Sequence, residues 1–163
     1  MTSTALAFCP SAPPSAEASR PGPGNFAYTL GLPGGTFCLG TARGLVRQVL
    51  DQHQLADMAE LAELAVSELL TNALTFTPGH ATHLSMRWRF GVLRLTVFDE
   101  HPSHCAFSRP VCRRRRREGL SLLDTVVSAC GGICGLAEVE LPLGGSKAWV
   151  VLPREAAALY AEL

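Results

Sequence analysis

The sequence contains few charged residues and no excess of either sign. Charged residues make up 17% of its 163 positions, and the formal net charge is zero. A protein that binds nucleic acid over a broad surface carries a positive excess, so that class is not favoured. No stretch reaches the ~18–20 consecutive apolar residues that a membrane-spanning helix needs. The chain also begins without the basic region and the continuous apolar segment of a secretory signal, and we therefore expect a cytoplasmic protein.

Apolar residues are numerous enough for one globular domain. Hydrophobic residues make up 47% of the chain, and 163 residues suit a single core. The six cysteines would suit a disulfide framework in a secreted protein, but without a signal segment we expect reduced thiols. Residues 1–25 are rich in proline, serine, alanine and glycine, which predicts a disordered or loosely attached tail. The folded domain is then predicted to span residues 26–163.

Hydrophobic periodicity predicts an α+β fold. Alternating apolar residues indicate strands, and apolar residues at a spacing of three and four indicate helices. The predicted strands cover residues 26–32, 82–90, 92–100, 133–141 and 148–152, the predicted helices cover residues 36–50, 57–76, 118–130 and 154–163, and residues 101–118 are predicted to form a long loop. This order favours a two-layer sandwich, in which helices cover one face of a mixed, mostly antiparallel sheet.

The segment "SELLTNAL" places two polar side chains on an apolar helix face. Glu68 and Asn72 lie one turn apart, within the arc that contains Leu61 and Ala65. A buried carboxylate costs several kcal/mol unless it is paired or hydrogen-bonded. The pattern leaves two interpretations open. Both residues are structural groups satisfied by a neighbouring loop, or they line a cleft and hold a water, a metal or a hydroxyl there.

Four segments, taken in order, carry a resemblance to a known family. "ELAVSELLTNAL" is similar to the family's N-box helix, and "LRLTVFDEHPSHCAFSRP" to its strand that ends in Asp and is followed by a loop. "EGLSLLDTVVSACGG" is similar to its glycine-opened helix, and "GGSKAWVVLP" to its final strand. Over roughly residues 28–153 the chain therefore resembles the GHKL or Bergerat ATP-binding domain of histidine kinases, DNA gyrase and Hsp90. More narrowly, it resembles small stand-alone actinobacterial proteins related to anti-sigma-factor serine kinases.

The resemblance implies ATP and Mg²⁺ as cofactors and assigns roles to individual residues. It implies that Asn72 binds Mg²⁺ and bridges it to the nucleotide phosphates, which suits the preference of Mg²⁺ for oxygen ligands. Glu68 would orient or deprotonate the attacking hydroxyl or water, and Asp99 would accept a hydrogen bond from the adenine amino group. Gly119 would open the helix after the nucleotide lid, where free backbone N–H groups suit phosphate. The other residues expected at the nucleotide are Arg117, Leu120 and Ser146.

The same segments depart from the family pattern at its glycine positions. The family usually has glycine after the adenine-reading Asp, whereas this chain has Glu100, His101 and Pro102. The family's lid helix usually opens with Gly-x-Gly, whereas Arg117 stands at the first of these positions. An arginine can contact phosphate directly in place of the backbone. These differences would explain a non-catalytic relative that binds nucleotide weakly or not at all.

Two clusters in the predicted loop have further interpretations. Residues 113–117 are five consecutive arginines, which could contact nucleotide phosphates, an acidic partner or nucleic acid, or form a solvated loop without a ligand. The residues His101, His104, Cys105 and Cys112 lack the paired spacing of recognised zinc sites. We interpret them as a chance grouping in a cysteine-rich chain.

Three functional hypotheses follow from the sequence. In the first, the chain is an ATP- and Mg²⁺-binding regulatory protein of the anti-sigma kinase type. It would phosphorylate or sequester a protein partner, namely a sigma factor or its antagonist, and its activity would be that of a serine/threonine kinase. In the second, it is a non-catalytic partner-switching module. The third, less favoured, is nucleic-acid binding through residues 113–117. The first two hypotheses are compatible with a homodimer and require no membrane.

Overall fold

A computed structural model describes residues 21–104, 106–139 and 143–163 of the chain. No helix within these ranges is both long enough and apolar enough to cross a membrane. The strands are β1 (Phe26–Leu32), β2 (Thr82–Arg89), β3 (Val92–Asp99), β4 (Ile133–Glu138) and β5 (Ser146–Pro153). The α-helices are α1 (Cys38–Gln52), α2 (Ala59–Phe76), α3 (Arg109–Glu118), α4 (Ser121–Ala129) and α5 (Ala156–Tyr160), and a short 3₁₀ turn at Ala56–Met58 precedes α2.

The five strands form one sheet in the order β1-β2-β3-β5-β4. Each neighbouring pair is antiparallel, so the predicted α+β class with a mostly antiparallel sheet is confirmed. The expectation of a mixed sheet is wrong for the described strands. The connection through α3 and α4 gives β4 the same direction as β3, but β5 lies between them. Because β5 is antiparallel to both, no parallel ladder forms.

The sheet buries one face under the helices and exposes the other. In β2 every second residue is buried, which is the period expected of a strand covered on one side. Strands β3 and β5 add further buried residues at alternate positions, and α2 packs on these strands with α1 beside it. The largest completely buried side chains include Leu50, Leu69, Leu84, Leu95 and Leu152. This core fixes the end of β3 against the last turns of α2, where the predicted site residues lie.

The hairpin between β2 and β3 follows the prediction closely. Arg89 pairs with Val92, so the connection consists of Phe90 and Gly91 alone. Both residues have positive φ, 53° and 76°, which is the conformation of a type I′ turn. This turn matches the twist of the strands and sets the register that places Asp99 between Thr82 and Ser146.

One predicted loop contains a helix. Residues 101–118 were expected to be irregular throughout, but α3 occupies Arg109–Glu118. Pro110 in the first turn and the following arginines explain the helix, because proline is tolerated there and arginine favours helices. Strand β4 ends at Glu138, one residue before Val139, and residues 140–141 of its predicted span lie outside the described residues. The predicted tail lies mostly outside them as well, and residues 21–25 contain neither helix nor strand.

Candidate functional site

Asn72 lies on the buried side of α2, as its position in the apolar arc predicts. Only 4% of the residue is exposed. Its Nδ2 donates a hydrogen bond to the backbone carbonyl oxygen of Arg116 at 2.8 Å. Its Oδ1 is buried and has no hydrogen-bond partner among the described residues. A buried oxygen without a partner is uncommon, so Asn72 has an acceptor available to a ligand.

Asp99 is the last residue of β3, and its carboxylate is fully occupied. One oxygen, Oδ1, accepts hydrogen bonds from Arg116 Nη1 at 3.2 Å and from the backbone N–H of His101 at 3.1 Å. The other, Oδ2, accepts from Arg116 Nη2. The side chains of Arg116 and Asp99 are 3% and 0% exposed, so this bidentate ion pair is excluded from water. An adenine amino group cannot reach Asp99 while the pair is intact.

Arg116 joins the two predicted site residues and was not singled out from the sequence. Its guanidinium pairs with Asp99, its carbonyl accepts from Asn72, and its guanidinium carbon lies 5.5 Å from the ring centroid of Phe76. It is the buried member of the arginine run, whereas the other four arginines are exposed. The run itself indicated a basic surface. A helical reading of residues 109–118 would have shown that the five arginines cannot all face the same way.

Two glycines allow the chain to close around this ion pair. A Cβ on Gly119 would lie 2.6 Å from Asn72 Nδ2, so any side chain there would displace the amide. A Cβ on Gly145 would lie 2.4 Å from the backbone oxygen of Asp99, and Gly145 has a φ of +88°. Both glycines are therefore explained by packing in this state.

The backbone at the start of α4 is engaged within the helices. Gly119 N–H donates to the carbonyl of Arg115 at 3.0 Å, and Leu120 N–H donates to that of Arg117 at 3.0 Å. Helix α3 thus runs almost directly into α4. The N–H groups that were expected to face phosphate are used by α3 in this arrangement.

The other predicted site residues differ in how exposed their side chains are. Leu120 and Ser146 are buried, and Ser146 Oγ donates to the carbonyl of Ala137 at 3.3 Å. Arg117 is exposed. Glu68 is half-buried one turn before Asn72 and makes no hydrogen bond or ion pair within the described part of the chain. The structure therefore links Asn72 and Asp99 through Arg116, whereas Arg117 is exposed.

An open cavity of about 680 Å³ lies beside the end of β3. His83 and Phe98 line it from the exposed face of the sheet, and Gly145 and Ser146 line it from the start of β5. Because the Asp99 side chain is 0% exposed, a molecule in this cavity would not touch its carboxylate. Asp99 still lines the cavity, so the cavity adjoins the Asn72–Arg116–Asp99 cluster without reaching that carboxylate.

A group of histidine and cysteine side chains lies on the outer side of the same ion pair. The ligand atoms of His101, His104 and Cys112 lie within 4.8 Å of one another. Burial lowers the pKa of His101, and the neighbouring positive charge of Arg116 lowers it further. The sequence analysis interpreted these residues as a chance grouping, because their spacing lacks the pairs of a zinc site, whereas the packing of α3 brings Cys112 to both histidines. Cys105 lies outside the described residues.

Searches for relatives add no further constraint. Models of known protein families give no match to this sequence, and curated proteins give none either.

Proposed function

We propose that this chain is a regulatory protein of the anti-sigma-factor serine kinase type, which binds ATP and Mg²⁺ between α2, β3 and α3. The observation that carries the proposal is the meeting of Asn72 and Asp99 at one buried residue, Arg116. The resemblance assigns Asn72 and Asp99 to a nucleotide site on independent grounds. Their contact with a shared residue supports that assignment, because 27 positions separate them in the sequence.

Asn72 fits the role of a Mg²⁺ ligand. Its Oδ1 is a buried oxygen without a partner in the described ranges. Mg²⁺ accepts such oxygen donors and usually keeps phosphate oxygens and waters as its other ligands. When bound, ATP with Mg²⁺ would supply a γ-phosphoryl group whose charge the metal partly neutralises.

Asp99 fits adenine recognition once Arg116 has left it. A carboxylate at the end of a central strand can accept a hydrogen bond from an exocyclic amine, but here both oxygens accept from the guanidinium. Nucleotide binding therefore requires the Arg116 guanidinium to leave Asp99, by rotation of the side chain or by movement of α3. The apparent affinity would be the affinity of the open state reduced by its population, so the chain controls its own access to nucleotide.

Glu68 would act on the substrate hydroxyl. It precedes Asn72 by one helical turn on α2 and is half-buried, without a hydrogen bond to any described residue. A free carboxylate next to the phosphate-binding side chain can accept the proton of a serine hydroxyl during transfer. The substrate class that follows is a serine on a protein partner, such as an antagonist of a sigma factor.

A non-catalytic partner-switching module is the second candidate. The specific observation that favours it is the use of the Gly119 and Leu120 N–H groups by α3 carbonyls. In such a module the Arg116–Asp99 pair would be a permanent structural element. Nucleic-acid binding has less support, because Arg116 is buried and Arg114 pairs with Glu118 at 3.3 Å.

Calorimetric titration with Mg²⁺ and ATP tests the proposal. We expect wild type to bind at millimolar nucleotide or below, and Asn72→Ala to bind without a dependence on Mg²⁺. Asp99→Asn should weaken binding at least about 10-fold, because the adenine acceptor is altered. Asp57→Asn changes an exposed aspartate elsewhere and should bind as wild type does. Absence of heat from wild type and from all variants would overturn the proposal in favour of the non-catalytic module.

A further inference from the structure

Helix α3 and the loop after β3 bring three metal-ligand side chains to one place. His101 and His104 come from the loop, and Cys112 comes from the first half of α3. Seven residues separate His104 from Cys112 in the sequence, and the turn into α3 closes that distance. We propose that His101, His104 and Cys112 bind one Zn²⁺ ion, with water as its fourth ligand, and that this ion fastens α3 to the end of β3.

The distances are close to those of a zinc site before metal binding. His101 Nε2 lies 3.3 Å from Cys112 Sγ, and the ring centroids of His101 and His104 are 4.8 Å apart. In a tetrahedral site with Zn–N near 2.0 Å and Zn–S near 2.3 Å, neighbouring ligand atoms are about 3.3–3.6 Å apart. The His101–Cys112 pair already satisfies this spacing. The ligand atom of His104 lies within 4.8 Å of the other two, so metal binding would have to draw it closer.

The polar groups of the site are prepared for a ligand. His104 Nε2 is buried and has no hydrogen-bond partner in the part of the chain that the structure describes. The backbone N–H of His101 donates to Asp99 Oδ1 at 3.1 Å, which fixes the loop that carries both histidines. Such outer contacts orient metal ligands and are a regular part of zinc sites.

The nearby charges permit a dication. Arg109, Arg113 and Arg116 lie around the same cleft and oppose a positive ion. Arg116 is neutralised by Asp99, and Arg109 Nε lies 3.7 Å from Glu138 Oε2. On binding, the Cys112 thiol releases its proton to solvent, and the resulting thiolate forms the Zn–S bond. The thiolate supplies one further negative charge.

The metal would act on the same helix face that closes Asp99. Cys112 and Arg116 are four residues apart in α3 and therefore point the same way. Zn²⁺ bound at Cys112 holds the N-terminal half of α3 against the loop and favours the Arg116–Asp99 contact. By linkage, any ligand that requires α3 to open would weaken zinc binding, and zinc would weaken that ligand equally. Metal binding itself does not depend on the proposed nucleotide function.

Metal titration of the reduced, chelator-treated full chain tests the site without nucleotide. We expect one Zn²⁺ per chain, and Co²⁺ in its place should give the absorption of a tetrahedral site with a thiolate-to-metal charge-transfer band. Cys112→Ser should abolish that band and weaken Zn²⁺ at least about 100-fold. His104→Gln should weaken Zn²⁺ but keep the band. The matched control is Cys134→Ser, which removes a half-buried thiol outside the cluster and should leave both unchanged.

Three results would overturn the inference. The first is the absence of stoichiometric Zn²⁺ binding by the wild-type chain. The second is a Co²⁺ thiolate band that persists in Cys112→Ser, and the third is loss of that band in Cys134→Ser. Circular dichroism of each metal-free variant shows that it has folded. His104→Gln keeps the test valid if Cys112→Ser does not fold, because the proposal requires this variant to bind more weakly than wild type.

Discussion

Two arginine–aspartate pairs in this chain have similar geometry and opposite surroundings. Arg154 donates to both carboxylate oxygens of Asp57, at 3.1 and 3.2 Å, just as Arg116 donates to both oxygens of Asp99. The side chains of the first pair are 48% and 46% exposed, whereas those of the second are 3% and 0% exposed. The first pair ties the segment after β5 to the turn before α2. The second fills the position that the sequence resemblance assigns to a ligand.

The two pairs differ in the surroundings of the charge that is left when one partner is removed. At the surface, water solvates the remaining charge, so an exposed pair contributes little. In the interior, the remaining charge has no substitute partner. Removing one partner therefore destabilises the fold strongly, even where the intact pair adds little net stability. Arg116 is therefore held in place because its absence would leave Asp99 uncompensated. A ligand that offers Asp99 a new donor would remove part of that constraint.

The largest expected effect is on stability. Arg116→Met should lower the free energy of unfolding by about 3–5 kcal/mol, because it leaves the Asp99 carboxylate buried and unpaired. Arg154→Met removes the exposed pair and should cost about 0–1 kcal/mol. Urea unfolding followed by circular dichroism measures both. Equal losses in the two variants would show that burial does not distinguish the pairs.

A double-mutant cycle gives the next largest effect. In Arg116→Met/Asp99→Asn the buried charge is gone, so we expect the double variant to be more stable than the two single losses would predict. The coupling energy should be about 2–3 kcal/mol, near the upper end for residues in contact. The same cycle on Arg154 and Asp57 should give about 0.2–1 kcal/mol. A buried-pair coupling below that of the exposed pair would refute the assignment.

Sequence reasoning predicted the parts of the fold that depend on local pattern. The alternation in β2, the helical spacing in α2 and the hairpin at Gly91 each correspond to a described element, although Phe90 belongs to the turn and not to the strand. The buried position of Asn72 also followed from its place in the apolar arc. These features are fixed by residues within a few positions of each other, so a single sequence contains enough information to predict them.

The contacts of α3 could not be predicted in the same way. Arg116 reaches Asp99 across 17 positions and Asn72 across 44, and five consecutive arginines give no signal that distinguishes one of them. The contact between His101 and Cys112 could not be predicted either, because it depends on where α3 packs. The helix itself could have been recognised from arginine's helix propensity and Pro110 in the first turn.

Replacing each of two glycines by alanine compares the close packing at Asp99 with an open turn. Gly145→Ala combines an unfavourable φ of +88° with a Cβ 2.4 Å from the Asp99 carbonyl oxygen. We expect a loss of about 1–3 kcal/mol beyond the cost of the backbone conformation. Gly79→Ala is the matched control, because Gly79 has a φ of +78° and no neighbour within 4 Å of a Cβ. Thermal unfolding of both checks this, and a larger loss in Gly79→Ala would contradict the packing argument.

The contact between the Cys134 thiol and the Asp124 carboxylate should have a smaller effect than the changes above. Burial raises the pKa of Cys134 to about 12, helped by its hydrogen bond to Asp124 and by the charge of that carboxylate. The unfolded thiol ionises nearer its ordinary value of 9.0. The contribution of the Cys134 thiol to stability is therefore complete below pH 9.0. It is lost as the pH rises toward about 12.

Peptide-resolved alkylation measures this shift. Cys134 should react more slowly than an unhindered thiol at any pH below its raised pKa, because little thiolate is present. Asp124→Asn should speed the reaction without restoring the ordinary rate, since burial remains. Asp57→Asn lies at the other ion pair and should leave the rate unchanged. A rate in Asp124→Asn equal to that of the wild-type chain would remove the carboxylate from the explanation.

Two dissociation constants for ATP with Mg²⁺, one for Arg116→Met and one for Arg115→Met, test most directly whether Arg116 closes a nucleotide site. Both variants lose one charge from α3, but only the first frees Asp99, because Arg115 is exposed. We expect Arg116→Met to bind at least about 10-fold more tightly than Arg115→Met, since the closed state no longer competes. Equal affinities, or tighter binding by Arg115→Met, would contradict the claim that Arg116 closes a nucleotide site.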